Sequence, residues 1–372
     1  MELVAVELRR VRLPLVEPFR SARGVETARD LLLVRVLDAT GEGWGECAAL
    51  AEPTYTSEYV DGAHDVVRRH LAPRLLAAAA GGGLAGGAAG VAPALAPVKG
   101  HPMAKAALEM AVLDLELRAA GVTLATRLGG VRDAVDAGVA LGILASVDDL
   151  VARVARCVEE GYRRVKLKIR PGWDVEPVAA VRRAFPDLAL QVDANGAYTM
   201  ADAEHLARLD DLDLLVVEEP LAEGDLAGHA ALAARLRTPV CLDESIGSVA
   251  DAVAAVECGA CSVVNVKAGR VGGYLAAVRP HDACRARGVP VWCGGMLESG
   301  LARAANVALA SLPGFTLPGD LPASARWYAE DLTEPFVLEG GRLRVPTAPG
   351  IGREPDPGVL RRRTTAVETL RP

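Results

Sequence analysis

Five ionisable residues recur at a near-constant interval through the middle of a 372-residue chain. Lys168, Asp193, Glu218, Asp243 and Lys267 lie 25, 25, 25 and 24 residues apart. Each stands at the end of a short, mostly apolar run: VKLK, LQVD, LVVE, VCLD and VNVK. Runs of this length read as strands, and parallel strands of a barrel present their C-terminal ends on one face. Three carboxylates gathered there repel one another unless a cation neutralises them. All-oxygen ligation from separate strands suits Mg²⁺, with Mn²⁺ or another divalent ion as a substitute, and no His or Cys joins the group to suggest zinc. A lysine on either side of such an ion could take a proton from a carbon α to a carboxylate, while the ion stabilises the charge left behind. Two bases on opposite faces permit racemisation; one base and one electrostatic stabiliser permit syn β-elimination.

The first lysine sits in VKLKIR (165–170), where Lys166, Lys168 and Arg170 alternate with apolar residues. Alternation of this kind makes a strand with one charged face. Taken alone, it fits an exposed edge strand; with the downstream carboxylates, it fits a strand facing an active site. A free lysine, with a pKa of about 10.4, is a poor base at neutral pH. Lys166 and Lys168 are spaced by about 7 Å along a strand, and at an effective dielectric of about 20 they repel by roughly 2.4 kcal/mol. Lys166 therefore helps to make Lys168 a usable base, and Arg270 could act similarly on Lys267. Each residue also has a plainer reading: Asp193 or Asp243 as a helix cap, Glu218 as loop solvation, Lys267 as a surface lysine. The regular spacing of all five argues for the chemical one.

The elements that must position these residues divide the chain. Residues 3–13 alternate; 30–38 and 43–48 flank ATGE as a hairpin; helical patterns cover about 57–75 and 102–120. Residues 1–125 thus read as a small α+β domain. Over 126–322, strand-like runs at 136–142, 164–169, 189–193, 214–218, 239–243, 262–267 and 289–294, with an eighth near 315–318, alternate with helical runs. Ser146 with Asp149, Thr199 with Asp202 and Ser248 with Asp251 mark helix starts. Eight β/α units in this length predict a closed (β/α)8 barrel of TIM type, and no GxGxxG opens the first unit. The segment 323–372, with its strand-like PFVLEGGRLRVP, is expected to return to the first domain.

Composition sets outer limits. Half the residues are hydrophobic and the net charge is −7, which argues against nucleic-acid or anionic-membrane partners. The beginning, MELVAVELRR, has no signal-peptide core, and seven scattered cysteines suggest a reducing, cytoplasmic compartment. Cys258-x-x-Cys261 lacks a second pair and reads as packing. The charge-free stretch Leu75–Val98 is too rich in Ala, Gly and Pro for a membrane span and reads as a mobile loop after a helix end.

The chain resembles the enolase superfamily, within it the N-acylamino acid racemase / o-succinylbenzoate synthase group of the muconate-lactonizing-enzyme-like subgroup. The carriers include LPLVEPFRSARG (13–24), GHPMAKAALEMAVLDLELRA (100–119), VKLKIRPGWDVEPV (165–178), QVDANGAY (191–198), CLDES (241–245), VNVKAGRVGGYLAA (264–277) and TEPFVL (333–338). The resemblance implies Asp193, Glu218 and Asp243 as metal ligands, Lys168 and Lys267 as the acid/base pair with Lys166 in support, and an α+β domain capping the barrel. It implies that Phe19, Ser21 and Tyr55, in loop-like stretches of the cap, close over the substrate. Asn195, Gly294, Met296, Glu298 and Ser299, at strand ends, are expected to shape the pocket, with Glu244 and Arg270 behind them. The implied partner is a small carboxylate: an N-acylamino acid to be racemised, or the cyclohexadiene precursor of o-succinylbenzoate to be dehydrated. Dipeptide epimerase, cycloisomerase and a non-catalytic binding protein are the alternatives, and a homo-oligomer is implied. Gly196 and Ala268 depart from the family pattern beside the site. No histidine stands near 293, where a His-based racemase needs one, and Asp320 stands alone where a dipeptide epimerase shows Asp-x-Asp.

Overall fold

The computed structural model describes residues 1–372. The chain opens with an antiparallel sheet of β1 (Leu3–Ser21), β2 (Gly24–Asp38) and β3 (Glu42–Cys47). β1 buries Leu3, Val6, Leu8, Val11 and Leu13, its alternation shifted by an irregularity between Arg10 and Val11, and β2 buries the run Leu31–Val34. β1 and β2 pair as a long ribbon, from Leu3 with Asp38 to Ser21 with Gly24. The helix Pro102–Ala120 covers this sheet. It lies so close to β3 that a Cβ on Gly43 or Gly45 would stand 2.1 or 2.0 Å from the carbonyl oxygens of Ala111 and Ala107. Only glycine fits at those two positions.

The second part of the chain starts with β4 (Ala134–Asp136) and β5 (Gly138–Leu141), and continues through β6 (Arg164–Lys168), β7 (Leu190–Asp193), β8 (Val217–Glu218), β9 (Val240–Leu242), β10 (Val263–Val266) and β11 (Val291–Cys293). Strands β5 to β11 form one curled parallel sheet in chain order, with helices between them. Ser146 and Ser248 cap their helices through the N–H of Asp149 and Asp251, and Thr199 with Asp202 forms a capping box. The eighth stave is not a full strand. Phe315 pairs with Val291 and Gly319 with Ala137, so the segment 315–320 joins both edges of the sheet through isolated bridges. Pro318 and Gly314 bracket too few residues there for a continuous ladder. Inside the ring, Val216, Cys241, Val263 and Trp292 pack together.

Three features differ from the sequence reading. The Leu75–Val98 stretch is not a mobile loop. It holds the helix Ala72–Ala80, a 3₁₀ turn Gly87–Gly90 and the helix Val91–Leu95, with Leu75, Leu76, Leu84, Val91 and Leu95 buried. Its few large apolar residues fall on the inward side, and small alanines let the turns pack closely. In the tail, β12 (Arg342–Arg344) pairs with β4 beside the barrel rather than with the cap. The return comes later: Gly350 bridges to Thr123, and β13 (Thr364–Leu370) pairs with β1. Finally, Phe19 and Ser21 lie on β1, at the tip of the ribbon, and not in a loop. The tip is pinned to the barrel by the Ile143 N–H donating to the Arg20 carbonyl at 2.9 Å.

Cap and barrel share one continuous apolar core. Two buried carboxylates of the cap also sit on starts of barrel helices. Glu46 of β3 accepts from the N–H of Ser299 at 3.0 Å and from its hydroxyl. Glu109 accepts from the N–H groups of Tyr274 and Leu275 at 2.9 and 2.8 Å. Orphan N–H groups at a helix start favour a negative partner. Cys261 is buried in the core and Cys258 is exposed.

Candidate active site

Register brings the charged strand ends into a row. Lys168 pairs with Asp193, and Asp193 with Glu218. Glu218 pairs with Cys241, which sets Asp243 two residues further out, and Lys267 follows directly on β10. The row therefore runs lysine, three carboxylates, lysine, around the mouth of the barrel. Lys168 Nζ donates to Asp193 Oδ2 at 2.5 Å and to Asn195 Oδ1 at 2.8 Å. Lys267 Nζ donates to Asp243 Oδ2 at 2.7 Å and to the Tyr55 hydroxyl at 2.8 Å, and that hydroxyl donates to Asp243 Oδ1 at 3.1 Å. Lys166 is almost fully enclosed and meets Glu218, Asp193 and Asp320 at 2.9, 3.2 and 2.6 Å.

These contacts set the electrostatics. Burial works against the charge on Lys166, but Asp320, Glu218 and Asp193 overcome it and raise the pKa well above that of a free lysine. Lys267 is raised in the same way, with burial opposing and Asp243 leading the compensation. The bare Lys166–Lys168 repulsion expected from sequence is thus largely cancelled by carboxylates lying between and beneath them. Burial alone would push Asp193 up, but Lys168 and Lys166 outweigh it and hold the carboxyl well below the usual range. Glu218 behaves oppositely although it also touches Lys166. Burial, then Asp193, pushes it up to about 8. Asp193 meets two lysines and Glu218 only one, which explains why Asp193 keeps its charge at the expense of its neighbour.

No three carboxylate, histidine or cysteine side chains already close on a common point. Each of the three carboxylates is instead turned to a lysine. The donor set nevertheless fits a hard divalent ion: it is all oxygen and it comes from three adjacent strand ends. Beside it, Glu244 Oε2 is buried with no hydrogen-bond partner.

A cavity of about 840 Å³, including its open mouth, lies over the row and is lined by Lys166, Lys168 and Lys267. Of the cap residues named from sequence, Phe19, Ser21 and Tyr55 all line it, as do Asn195 and Met296 of the barrel. Gly294, Glu298 and Ser299 do not. A Cβ on Gly294 would stand 2.5 Å from Lys267 Cε, so its role is to leave room for that side chain. Glu298 accepts from the Met296 N–H at 2.6 Å, and Ser299 caps the helix Gly300–Ala310 and meets Glu46. Glu244 accepts from Asn195 at 2.8 Å and from Arg23 at 3.1 Å. Arg270 donates to the Glu244 carbonyl and lies over the Tyr55 ring, 5.3 Å from its centre.

Sequence reasoning missed a layer below the row. Arg164, Gln191 and Asn265 precede Lys166, Asp193 and Lys267 by two residues, on the same strand faces. Gln191 and Asn265 donate to the two oxygens of Glu218 at 2.8 and 2.9 Å. Arg164 donates to Asp320 Oδ1 at 2.7 Å. The period-2 rule applied backwards from each strand end would have found the first three; nothing local marks Asp320 as the partner of Arg164.

Comparisons with known proteins agree over the whole chain. Residues 3–129 match the mandelate racemase / muconate lactonizing enzyme N-terminal domain, and residues 149–359 match the enolase C-terminal domain-like family. An N-succinylamino acid racemase of an Amycolatopsis species is 58% identical over 367 residues, covering 98% of each chain. An o-succinylbenzoate synthase of Geobacillus kaustophilus is 45% identical over 361 residues, covering 96% of this chain and 95% of the relative. A solved enolase-superfamily member from Listeria innocua superposes with a TM-score of 0.93 at 37% identity, covering 100% of this chain and 99% of that one.

Proposed function

The chain belongs to the enolase superfamily, and from that membership we propose that it moves the proton α to the carboxylate of an N-acylamino acid, as an N-succinylamino acid racemase. The observation that carries this reading is the placement of Lys168 and Lys267 at the two ends of one row of carboxylates, both lining the same cavity. A divalent ion, Mg²⁺ in this proposal, held by Asp193, Glu218 and Asp243 would stabilise the negative charge that builds on the substrate carboxylate. Lys168 Nζ, held by Asn195 Oδ1, takes the proton from one face of the α-carbon in one direction and returns it in the other. Lys267 Nζ, held by the Tyr55 hydroxyl, does the same from the opposite face. In each turnover one lysine starts neutral and the other starts as the ammonium acid.

The cavity wall supports an acylated substrate with an apolar side chain. Phe19 and Trp327 meet edge to face at 5.3 Å, with Leu50, Met296 and Leu297 nearby. Asp320, the single acid where an epimerase of dipeptides carries two, already gives one oxygen to Arg164 and the other to Lys166. It offers no counter-charge to a free substrate amine, which favours an N-acyl group. Dehydration to o-succinylbenzoate is the second reading; it is favoured by the relatives that carry that name at 45% identity and uses the same two lysines. No helix is long and apolar enough to cross a membrane. A cytoplasmic location and a symmetric homo-oligomer complete the proposal, the latter checked by light scattering.

The test is proton NMR in D₂O with Mg²⁺ and N-succinyl-L-phenylalanine. Loss of the α-proton signal together with loss of optical rotation is the expected result. Exchange with retained rotation means one competent base and favours the dehydratase. No exchange removes N-succinylphenylalanine from the reading and makes the cyclohexadiene precursor the next substrate to try.

A further inference from the structure

Lys166 touches three carboxylates, and two of them, Asp193 and Glu218, belong to the proposed ligand set. Any oxygen they give to a divalent ion is withdrawn from Lys166. The third, Asp320, stands on the segment that joins β11 to β5, away from the ligand strands. It is fixed independently of any ligand. Its N–H donates to the Cys293 carbonyl at 2.9 Å, and its Oδ1 accepts from Arg164 at 2.7 Å. Arg164 is tied in turn to the Pro318 carbonyl at 2.6 Å. Arg164 and Lys166 both lie over the Trp292 ring, 5.1 and 4.7 Å from its centre.

We propose, resting on the function given above, that Asp320 is a positioning residue that gives Lys166 a counter-charge outside the ligand set and so frees Asp193 and Glu218 for a divalent ion. A buried ammonium must keep a counter-charge. Lys166 is only 2% exposed and cannot turn to water when its partners are taken. If ligand carboxylates were its only partners, it would compete with the ion for the same oxygens. Asp320 gives it a partner that the ion does not use. The charge of Lys166 then stays at the cavity floor while the ligands turn outward.

The test is calorimetric titration of Mg²⁺ into metal-stripped protein for the wild type, Asp320→Asn, Lys166→Met and the double variant. Asp320→Asn is expected to weaken binding about tenfold, and to change it by less than about twofold when Lys166 is already Met, since the effect passes through that lysine. A loss of the same size in both backgrounds would show that Asp320 acts only by its own charge, and overturns the proposal while leaving the function standing. Lys166→Met alone keeps the test independent of how well the Asp320 variant folds. It is expected to bind Mg²⁺ more tightly than the wild type, and unchanged affinity overturns the competition argument. A wild type that binds no Mg²⁺ overturns the proposed function and this inference with it.

Discussion

Lys168 and Lys267 face one cavity, but different parts of the chain hold them. Lys168 is positioned by Asp193 and Asn195, both from the barrel. Lys267 is positioned by Asp243 of the barrel and by Tyr55 of the cap. Around the Tyr55 ring stand three cations, Lys267, Arg270 and Arg23, at 4.6, 5.3 and 5.7 Å from its centre. Cations over a π face are favourable when desolvated. The cap is thus a wall on the Lys168 side and a working part on the Lys267 side. Two chemically identical side chains depend to different degrees on how the cap is seated.

The largest effect that bears on this comparison comes from removing either lysine. Lys168→Ala and Lys267→Ala should each cut racemisation by about two to four orders of magnitude. Each should retain α-proton exchange only for the enantiomer served by the remaining lysine. NMR exchange on the separate enantiomers reads this, and near-native racemisation in either variant would refute the two-lysine assignment. Next is Asp243→Asn, which removes a proposed ligand and the shared partner of Lys267 and Tyr55. Mg²⁺ affinity should fall by about a hundredfold or more; unchanged affinity in calorimetry argues against its ligand role.

Tyr55→Phe sharpens the comparison most directly. Losing one hydrogen bond to a charged group should slow exchange at the Lys267 face by about tenfold and leave the other face within about twofold. Equal slowing of both enantiomers would mean that the cap serves the two sides alike. The smallest effect concerns the seating of the cap itself. Burial pushes Glu46 and Glu109 up to about 7, against the N–H donors that hold them down. An unfolded glutamate titrates near about 4.3, so between that value and 7 the folded state binds more protons. Their contribution to stability is present at pH 4 and is lost as the pH rises through 7. The melting temperature should therefore drop by a few degrees between pH 5 and 8, and Glu109→Gln should flatten that slope; an unaltered slope excludes Glu109 as a source.

The row of charges was legible because strand ends in a parallel barrel obey one-dimensional spacing. Lys168, Asp193, Glu218, Asp243 and Lys267 each follow an apolar run, and the register aligns them. The helix 102–120 was legible from its local helical pattern. What escaped was long-range pairing. Asp320 meets residues 156 and 154 positions away through contacts that no local pattern encodes. Glu298 and Ser299 follow the end of β11 closely, but the Met296 N–H claims the side chain of Glu298, and a helix start and Glu46 claim that of Ser299, so adjacency in sequence misplaced them. The Leu75–Val98 stretch misled because low complexity was read as low order, although its leucines and valines fall on one side of short helical turns.

The pairing of β13 with β1 has a consequence for the making of the protein. Leu370 pairs with Val6, so the outer edge of β1 waits for its partner until nearly the whole barrel has been translated. At about 5–20 residues per second, that is tens of seconds on the ribosome. During that interval a long strand presents open backbone groups, the kind of edge that recruits other chains. Arg12, exposed on that strand while Arg9 and Arg10 are paired with Glu7, Asp30 and Asp61, places a positive charge beside the open edge, the kind of feature that discourages such encounters until the strand from the far end of the chain arrives.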